Sequence, residues 1–193
     1  YRSQADLRGF LRGMRVPAIT GVDTRAITRH IRSAGAMPGL IESPFDEGSS
    51  DASAALDRLR NEAASLPSMA GRDLAHEVSC RSLYTYELDG QPGATLPRPG
   101  PHVVVVDYGA KRNILGSLAR RGARVTVVPA TSSADDILAL RPAGILLSNG
   151  PGDPDAVSGA AETVARLLGR APIMGICLGC QILGLGCRSC CCR

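Results

Sequence analysis

Four consecutive valines, Val103 to Val106, constrain this chain more than any other feature. A half-exposed strand alternates apolar and polar side chains. An unbroken β-branched run is expected where both faces are covered, as in a parallel sheet flanked by helices. The segments that follow fit this reading. A helix is expected around Asn113 to Arg121, with Ile114, Leu115 and Leu118 inward, and then a strand from Arg124 to Val128. Ser132 or Ser133 can cap the next helix, whose first turn carries Asp135 and Asp136 and whose apolar positions are Ile137, Leu138 and Leu140. A strand from Gly144 to Ser148, a helix from Ala160 to Leu168 burying Ala161, Val164, Ala165 and Leu168, and a strand from Pro172 to Ile176 complete the pattern. Strands alternating with helices predict an open parallel α/β sheet, whose ligands sit beyond the carboxyl ends of its strands.

The first half reads differently. Ser3 can cap a helix bearing Leu7, Phe10 and Leu11, and Val16 to Ile19 reads as extended. Asp23 or Thr24 caps a second helix, expected to bury Ile27 and Ile31 and to stop at Gly35. Met37 to Glu42 reads as a strand. Leu56, Leu59, Ala63 and Leu66 line a further helix, which Pro67 closes. Asp89 to Pro101 holds four prolines and three glycines and reads as a linker. The expected domains are therefore residues 1–98 and 99–193.

Composition removes several function classes. There is no Trp, and two Phe and four Tyr cannot supply the stacking platforms of a single-stranded nucleic-acid surface. The net charge of +4 is spread over Arg-rich helices, as on a solvated face. The longest apolar stretch, Ile173 to Cys187, is glycine-rich, carries Gln181 and is shorter than the roughly 20 residues a membrane span needs. Tyr1 is not a natural start, so the N-terminus is expected to lie upstream. Six of seven cysteines crowd between Cys177 and Cys192, which no distributed disulfide framework would do. The remainder reads as a reduced cytoplasmic protein.

Two segments carry chemistry. Gly175-Ile176-Cys177-Leu178-Gly179 directly follows a predicted strand, which is the pattern of a nucleophile elbow with Cys in the serine position. The glycines leave room for a tight strand-to-helix turn. The following helix would point its N-terminus at the sulfur and favour thiolate, and the Leu178 N–H could donate to an oxyanion. The plainer reading of those five residues is a buried structural Cys between incidental glycines. Ser148-Asn149-Gly150-Pro151-Gly152-Asp153-Pro154 lies at the end of the preceding strand, on the same sheet edge. A loop so rich in Gly and Pro is rigid and presents bare N–H groups. As a simple tight turn it would be longer than required.

Together these two segments resemble the signature of class I glutamine amidotransferases. Three further stretches resemble the small subunits of carbamoyl phosphate synthase: Gly21 to Arg29 (GVDTRAITR), Gly71 to Ala75 (GRDLA) and Asp107 to Leu115 (DYGAKRNIL). The resemblance covers residues 1 to about 183 and implies an α/β fold. That fold would be an open parallel sheet of the class I amidotransferase type, broken off after the elbow and preceded by part of a smaller α/β domain. It implies that Cys177 attacks the carboxamide of glutamine, giving a γ-glutamyl thioester and ammonia. The amides of Gly150 and Leu178 would form the oxyanion hole, and Gly152 and Gln181 would help bind glutamine. Ammonia would pass to a large subunit docked by the N-terminal domain. There, ATP and magnesium serve the synthesis of carbamoyl phosphate for arginine and pyrimidine biosynthesis. No cofactor or metal is implied in the small subunit itself, nor any nucleic-acid or membrane partner.

The chain also departs from that family. The family has a His and a Glu, two apart, well downstream of the Cys, which hold the thiol as thiolate and protonate the leaving amine. The 16 residues after Cys177 contain no His, Asp or Glu. His30, near a helix end, reads as a dipole partner, and His76 and His102 as surface or linker residues. Little or no glutamine turnover is therefore expected of these residues alone. The family's Gly-His-Gln reads Gly179-Cys180-Gln181 here, and beyond Leu183 the pattern dissolves, as a shifted reading frame would cause. Cys177-x-x-Cys180 and Cys187-x-x-Cys190 could suggest zinc, but only six residues separate the pairs and an apolar helix start lies between them. The other function class is a non-catalytic docking module for a synthase subunit, which a downstream His-x-Glu in the gene would argue against.

Overall fold

The structure is a computed structural model that describes residues 6–43, 48, 50–69, 71–88 and 100–191. The chain divides into two compact units, Tyr1–Met69 and Ala70–Arg193. Ser3 and nearly all of the predicted linker lie outside the described residues, and the helix expected to start from a Ser3 cap is capped by Asp6 instead.

The described part of the first unit is helical. Helix α1 (Leu7–Gly13) is capped by Asp6, whose carboxylate accepts from Gly9 N–H at 2.6 Å. Helix α2 (Thr24–Ala34) is capped by Asp23, which accepts from Ala26 N–H at 2.9 Å, and it stops at Gly35 with φ +88°. Helix α3 (Ala52–Ser65) ends where Leu66 turns extended ahead of Pro67. The caps and stops therefore fall where side-chain chemistry places them. Two expectations fail. Ile27 and Ile31 are exposed, at 49% and 42%, and Met37 to Glu42 forms no strand. An amphipathic face is buried only by a neighbour, and α2 has no buried residue among those described.

The second unit is the predicted sheet. After the short helix α4 (Leu74–Val78) come β1 (Tyr84–Tyr86), β2 (His102–Asp107), α5 (Arg112–Arg120), β3 (Arg124–Pro129), α6 (Ala134–Ala139) and β4 (Gly144–Leu147). A 3₁₀ turn (Pro154–Ala156), α7 (Ala160–Leu167), β5 (Ile173–Gly175) and α8 (Leu178–Cys191) follow. The strand order is β1-β3-β2-β4-β5, parallel except for β1, which runs antiparallel to β3 with Thr85 opposite Thr126.

The four valines occupy β2 at the centre, and their side chains alternate between two cores. Val104 and Val106 pack with Ile145, Leu147, Ile137, Val164, Leu167 and Ile182. Val105 packs on the other face with Val125, Val127, Leu146, Leu115 and Ala119. Val104, Val105 and Val106 are each at most 1% exposed, and burying each side chain stabilises the fold by roughly 1.5–3 kcal/mol. Ser133 caps α6 in a reciprocal capping box with Asp136, as its spacing implied. Helix α7 buries Ala160, Val164 and Leu167 rather than a face through Leu168, because the helix ends at Leu167 and Leu168 turns extended.

Residues 71–88, read from sequence as part of the first domain, pack within the second unit. Ala75 of α4 is fully buried in one core, and Tyr86 and Leu88 pack against the other. The strand β1 had not been anticipated.

Candidate functional site

The parallel strands β2, β4 and β5 end on one edge of the sheet, and the site is built there. Ile176 N–H extends the β4 pairing by donating to Leu147 O at 3.0 Å. The chain then reverses at Cys177, which has φ +53°, and α8 begins at Leu178. A non-glycine residue in this left-handed region costs on the order of 1–3 kcal/mol and persists only where its surroundings enforce it. Here they do. Gly179 N–H donates to Ser148 O at 3.1 Å and Ile176 O at 3.0 Å, while Cys180 N–H reaches Cys177 O at 2.9 Å and Gln181 N–H reaches it at 3.2 Å.

The flanking glycines are sterically required. A Cβ on Gly175 would lie 2.5 Å from Gly179 C and from Cys180 N. A Cβ on Gly179 would fall on the Leu147 carbonyl oxygen, 2.7 Å from Ser148 O. Side chains are thereby excluded around an exposed Cys177, while Leu178 is 1% exposed and anchors α8 in the core. As the first residue of α8, Leu178 has no intrahelical acceptor for its N–H.

The loop after β4 lies beside this elbow. A Cβ on Gly150 would lie 2.7 Å from Leu178 Cδ2 and 2.9 Å from Tyr108 Cβ, so the two candidate oxyanion residues are neighbours. Ser148, fully buried, accepts from Tyr108 N–H at 2.9 Å and donates to Asn149 O at 2.7 Å. Asn149 donates to Gly109 O at 2.9 Å and accepts from Lys111 N–H at 3.0 Å. These bonds tie the loops after β2 and β4 into one body. Asp107 organises the first of them, accepting from Gly109 N–H at 2.9 Å, Ala110 N–H at 2.7 Å and Cys80 N–H at 2.8 Å.

Gly152, at φ +89°, turns the loop against α4, where a Cβ would lie 3.4 Å from Leu74 Cβ and 3.6 Å from Arg72 O. Asp73 completes that contact. It caps α4 through His76 N–H at 3.2 Å, pairs with His76 Nδ1 at 2.6 Å and accepts from Ser158 N–H at 3.0 Å. Partial burial raises the Asp73 carboxyl, but the hydrogen bonds from Ser158 and His76 and the imidazole charge outweigh it and hold it below its ordinary value. His76 Nε2 is buried and has no partner among the described residues.

Burial, and then the Asp107 carboxylate, push the Cys80 thiol up to about 11, so Cys80 is a structural thiol. Burial likewise raises the Tyr108 hydroxyl well above its ordinary value. An open groove of about 540 Å³ lies between Pro154–Glu162 and the α8 residues Leu185 and Arg188, and Cys177 does not line it. Among the described residues no three His, Cys, Asp or Glu are gathered as a metal would need. No helix among them is long and apolar enough to cross a membrane.

Cys177, Leu178 and Gly150 thus meet at one edge, with Gln181 exposed one turn along α8 and Gly152 at the far side of the loop. Sequence reasoning missed Asp107 and Asn149 as the ties between loops, and Asp73 as the tie to α4. Both aspartates stand in stretches singled out only for their resemblance. An acidic residue just after a strand, ahead of glycine, is the signal of a turn-forming carboxylate that could have identified Asp107.

A cysteine held at positive φ between a parallel strand and a helix, beside a rigid Gly/Pro loop, defines an α/β protein of the nucleophile-elbow class. Residues 104–187 match the family model for glutamine amidotransferase class-I, and residues 1–41 match that for the carbamoyl-phosphate synthase small chain, CPSase domain. The carbamoyl phosphate synthase small chain of Haemophilus ducreyi is 43% identical over 195 residues, covering 96% of this chain and 50% of its own length. That of Methanopyrus kandleri is 45% identical over 186 residues, covering 95% and 47%. That of Thermosynechococcus vestitus is 45% identical over 194 residues, covering 96% and 48%. The chain belongs to the carbamoyl phosphate synthase small chain family. It spans about half the length of the curated relatives it matches.

Proposed function

We propose that this chain carries the nucleophile of a glutamine-hydrolysing small subunit, which delivers ammonia to a large synthase subunit. The observation behind this reading is the enforced left-handed Cys177 at the β5–α8 elbow in a chain of this family. The Cys177 sulfur attacks the side-chain carboxamide carbon of glutamine. The N–H groups of Gly150 and Leu178 receive the developing oxyanion, and preorganised donors of this kind are worth on the order of 3–4 kcal/mol each. The C–N bond then breaks, the amine leaves protonated as ammonia, and water hydrolyses the γ-glutamyl thioester to glutamate. Gly152 and Gln181 hold the glutamine.

The ammonia is used with bicarbonate and ATP on the large subunit to form carbamoyl phosphate for arginine and pyrimidine synthesis. No ATP site is assigned to this chain. Moving the thiol proton to the leaving amine needs a general base that then acts as the acid, and residues 178–193 offer no His, Asp or Glu. These 193 residues alone therefore form the thioester poorly and turn over little or no glutamine.

The test is covalent capture. The electrophilic glutamine analogue 6-diazo-5-oxo-norleucine is incubated with the reduced chain and the site located by peptide mass spectrometry. Labelling at Cys177 that excess glutamine suppresses is expected. Labelling spread equally over Cys180 and Cys187, indifferent to glutamine, would leave only a docking module for a synthase subunit.

A further inference from the structure

We propose that Cys177 and Cys180 form a vicinal dithiol that oxidises to an intramolecular disulfide, reversibly removing the elbow cysteine from chemistry. Its effect on turnover rests on reading Cys177 as the nucleophile; the bond itself does not. Both cysteines are exposed. Cys180 N–H donates to Cys177 O at 2.9 Å, closing a four-residue turn at the start of α8. The ends of such a turn lie within about 7 Å, and disulfides bridge Cα separations of roughly 4.4–6.8 Å. Residue 180 stands where the family pattern has His, so the pair belongs to this chain rather than to the family reaction.

Among the cysteines whose side chains the structure describes, neither Cys187 nor Cys80 competes. Cys187 is seven residues further along α8, about 10.5 Å at 1.5 Å per residue. Cys80 packs against the core around Leu115 and Val125, on the opposite face of the sheet from the Leu178 and Ile182 core, with its N–H bound to Asp107. Among the described residues that separation also leaves Cys177 and Cys180 without the further ligands a tetrahedral metal site requires.

The oxidant is a hydroperoxide. The Cys177 sulfur attacks one peroxide oxygen, the O–O bond breaks, and the leaving hydroxide takes the thiol proton as water, giving a sulfenic acid. The Cys180 sulfur attacks the Cys177 sulfur. The S–S bond forms, the S–O bond breaks, and hydroxide leaves with the Cys180 proton as a second water. Two thiols are oxidised and one peroxide is reduced.

The chain is treated with equimolar hydrogen peroxide, its remaining thiols are alkylated, and the tryptic peptide spanning 171–188 is analysed by mass spectrometry. The wild-type peptide is expected to lose two hydrogens, with Cys187 alone alkylated, and dithiothreitol should restore all three thiols. The Cys180→Ala chain should lack the bond, stopping at sulfenic acid and, given a second equivalent of peroxide, running on to sulfinic acid at Cys177. A wild-type peptide that stays fully reduced, overoxidises like Cys180→Ala, or joins Cys177 to Cys187 overturns the proposal. Labelling by 6-diazo-5-oxo-norleucine is measured in parallel. If the reduced chain is not labelled at Cys177, the nucleophile reading fails while the disulfide stands on its own mass. If it is labelled, oxidation should abolish the label and reductant should return it. Labelling that persists after the bond has formed overturns the switch.

Discussion

Three glycines in α8 give a test of the elbow with its own control, because the same substitution should act in opposite directions within one helix. At Gly184 a Cβ would meet nothing within 4 Å. Gly184→Ala should therefore stabilise the chain by the helix-propensity difference, about 1 kcal/mol. At Gly186 a Cβ would lie 2.6 Å from Val164 Cγ1 and 3.1 Å from Ala161 O, so α8 must move away from α7. Overpacking of this kind costs roughly 1–3 kcal/mol, which the propensity gain partly offsets. At Gly179 the Cβ would fall on backbone that cannot rotate away, the Leu147 carbonyl, with Ser148 O at 2.7 Å.

Relief at Gly179 requires α8 to lift, which breaks the Gly179 N–H bond to Ser148 O at 3.1 Å. That adds about 1 kcal/mol to the overpacking, for a net loss of roughly 1–3 kcal/mol after the propensity gain. Urea unfolding followed by tyrosine fluorescence suits the measurement, since Tyr84, Tyr86 and Tyr108, three of the four tyrosines, lie in the second unit. The expected midpoint order is Gly184→Ala, wild type, Gly186→Ala, Gly179→Ala. A Gly179→Ala midpoint at or above wild type would refute the close approach on which the elbow geometry rests.

Cys177→Gly should raise stability by about 0.5–1 kcal/mol, because glycine adopts positive φ freely, whereas Cys177→Val should lower it; equal midpoints would deny that the turn is strained. Asp73 has a folded pKa below its unfolded value, so its carboxylate contributes stability that is complete above about pH 4 and lost as pH falls through the folded pKa. The stability gap between wild type and Asp73→Asn should accordingly shrink below about pH 4, and a gap that widens in acid would contradict the assignment. At pH 8 the Cys80 thiol, raised to about 11, is ionised in only about one molecule in a thousand, so iodoacetamide should modify it far more slowly than Cys180 or Cys187. Leu7, Phe10, Ile19, Ile27, Ile41 and Met174 are among many large apolar side chains that stand exposed. Strong enhancement of a hydrophobic dye's fluorescence is therefore expected, and a dye-silent monomer would contradict it.

The sheet and its helices were legible in the sequence because their signals are local. Val103 to Val106 could only be a strand covered on both faces, Ser133 and Asp136 carry their own capping geometry, and Gly35 and Pro67 stop helices by backbone constraint alone. The elbow was legible for the same reason, since Gly175, Cys177 and Gly179 are neighbours in sequence and the turn demands that spacing. Ile27 and Ile31 were misread because periodicity names an apolar face without naming what covers it, and nothing does so among the described residues. The short strand β1 was missed because Tyr84 to Tyr86 owes its place to antiparallel pairing with β3, a partner about 40 residues away in sequence. Only the tertiary structure brought Asp73 to Ser158 and Asp107 to Cys80, and tied Ser148 and Asn149 to the loop after β2. Those hydrogen bonds join residues 27 to 85 positions apart. Local propensity cannot encode such a distance; it follows from the parallel topology, which gathers the carboxyl ends of β2, β4 and β5 on one edge.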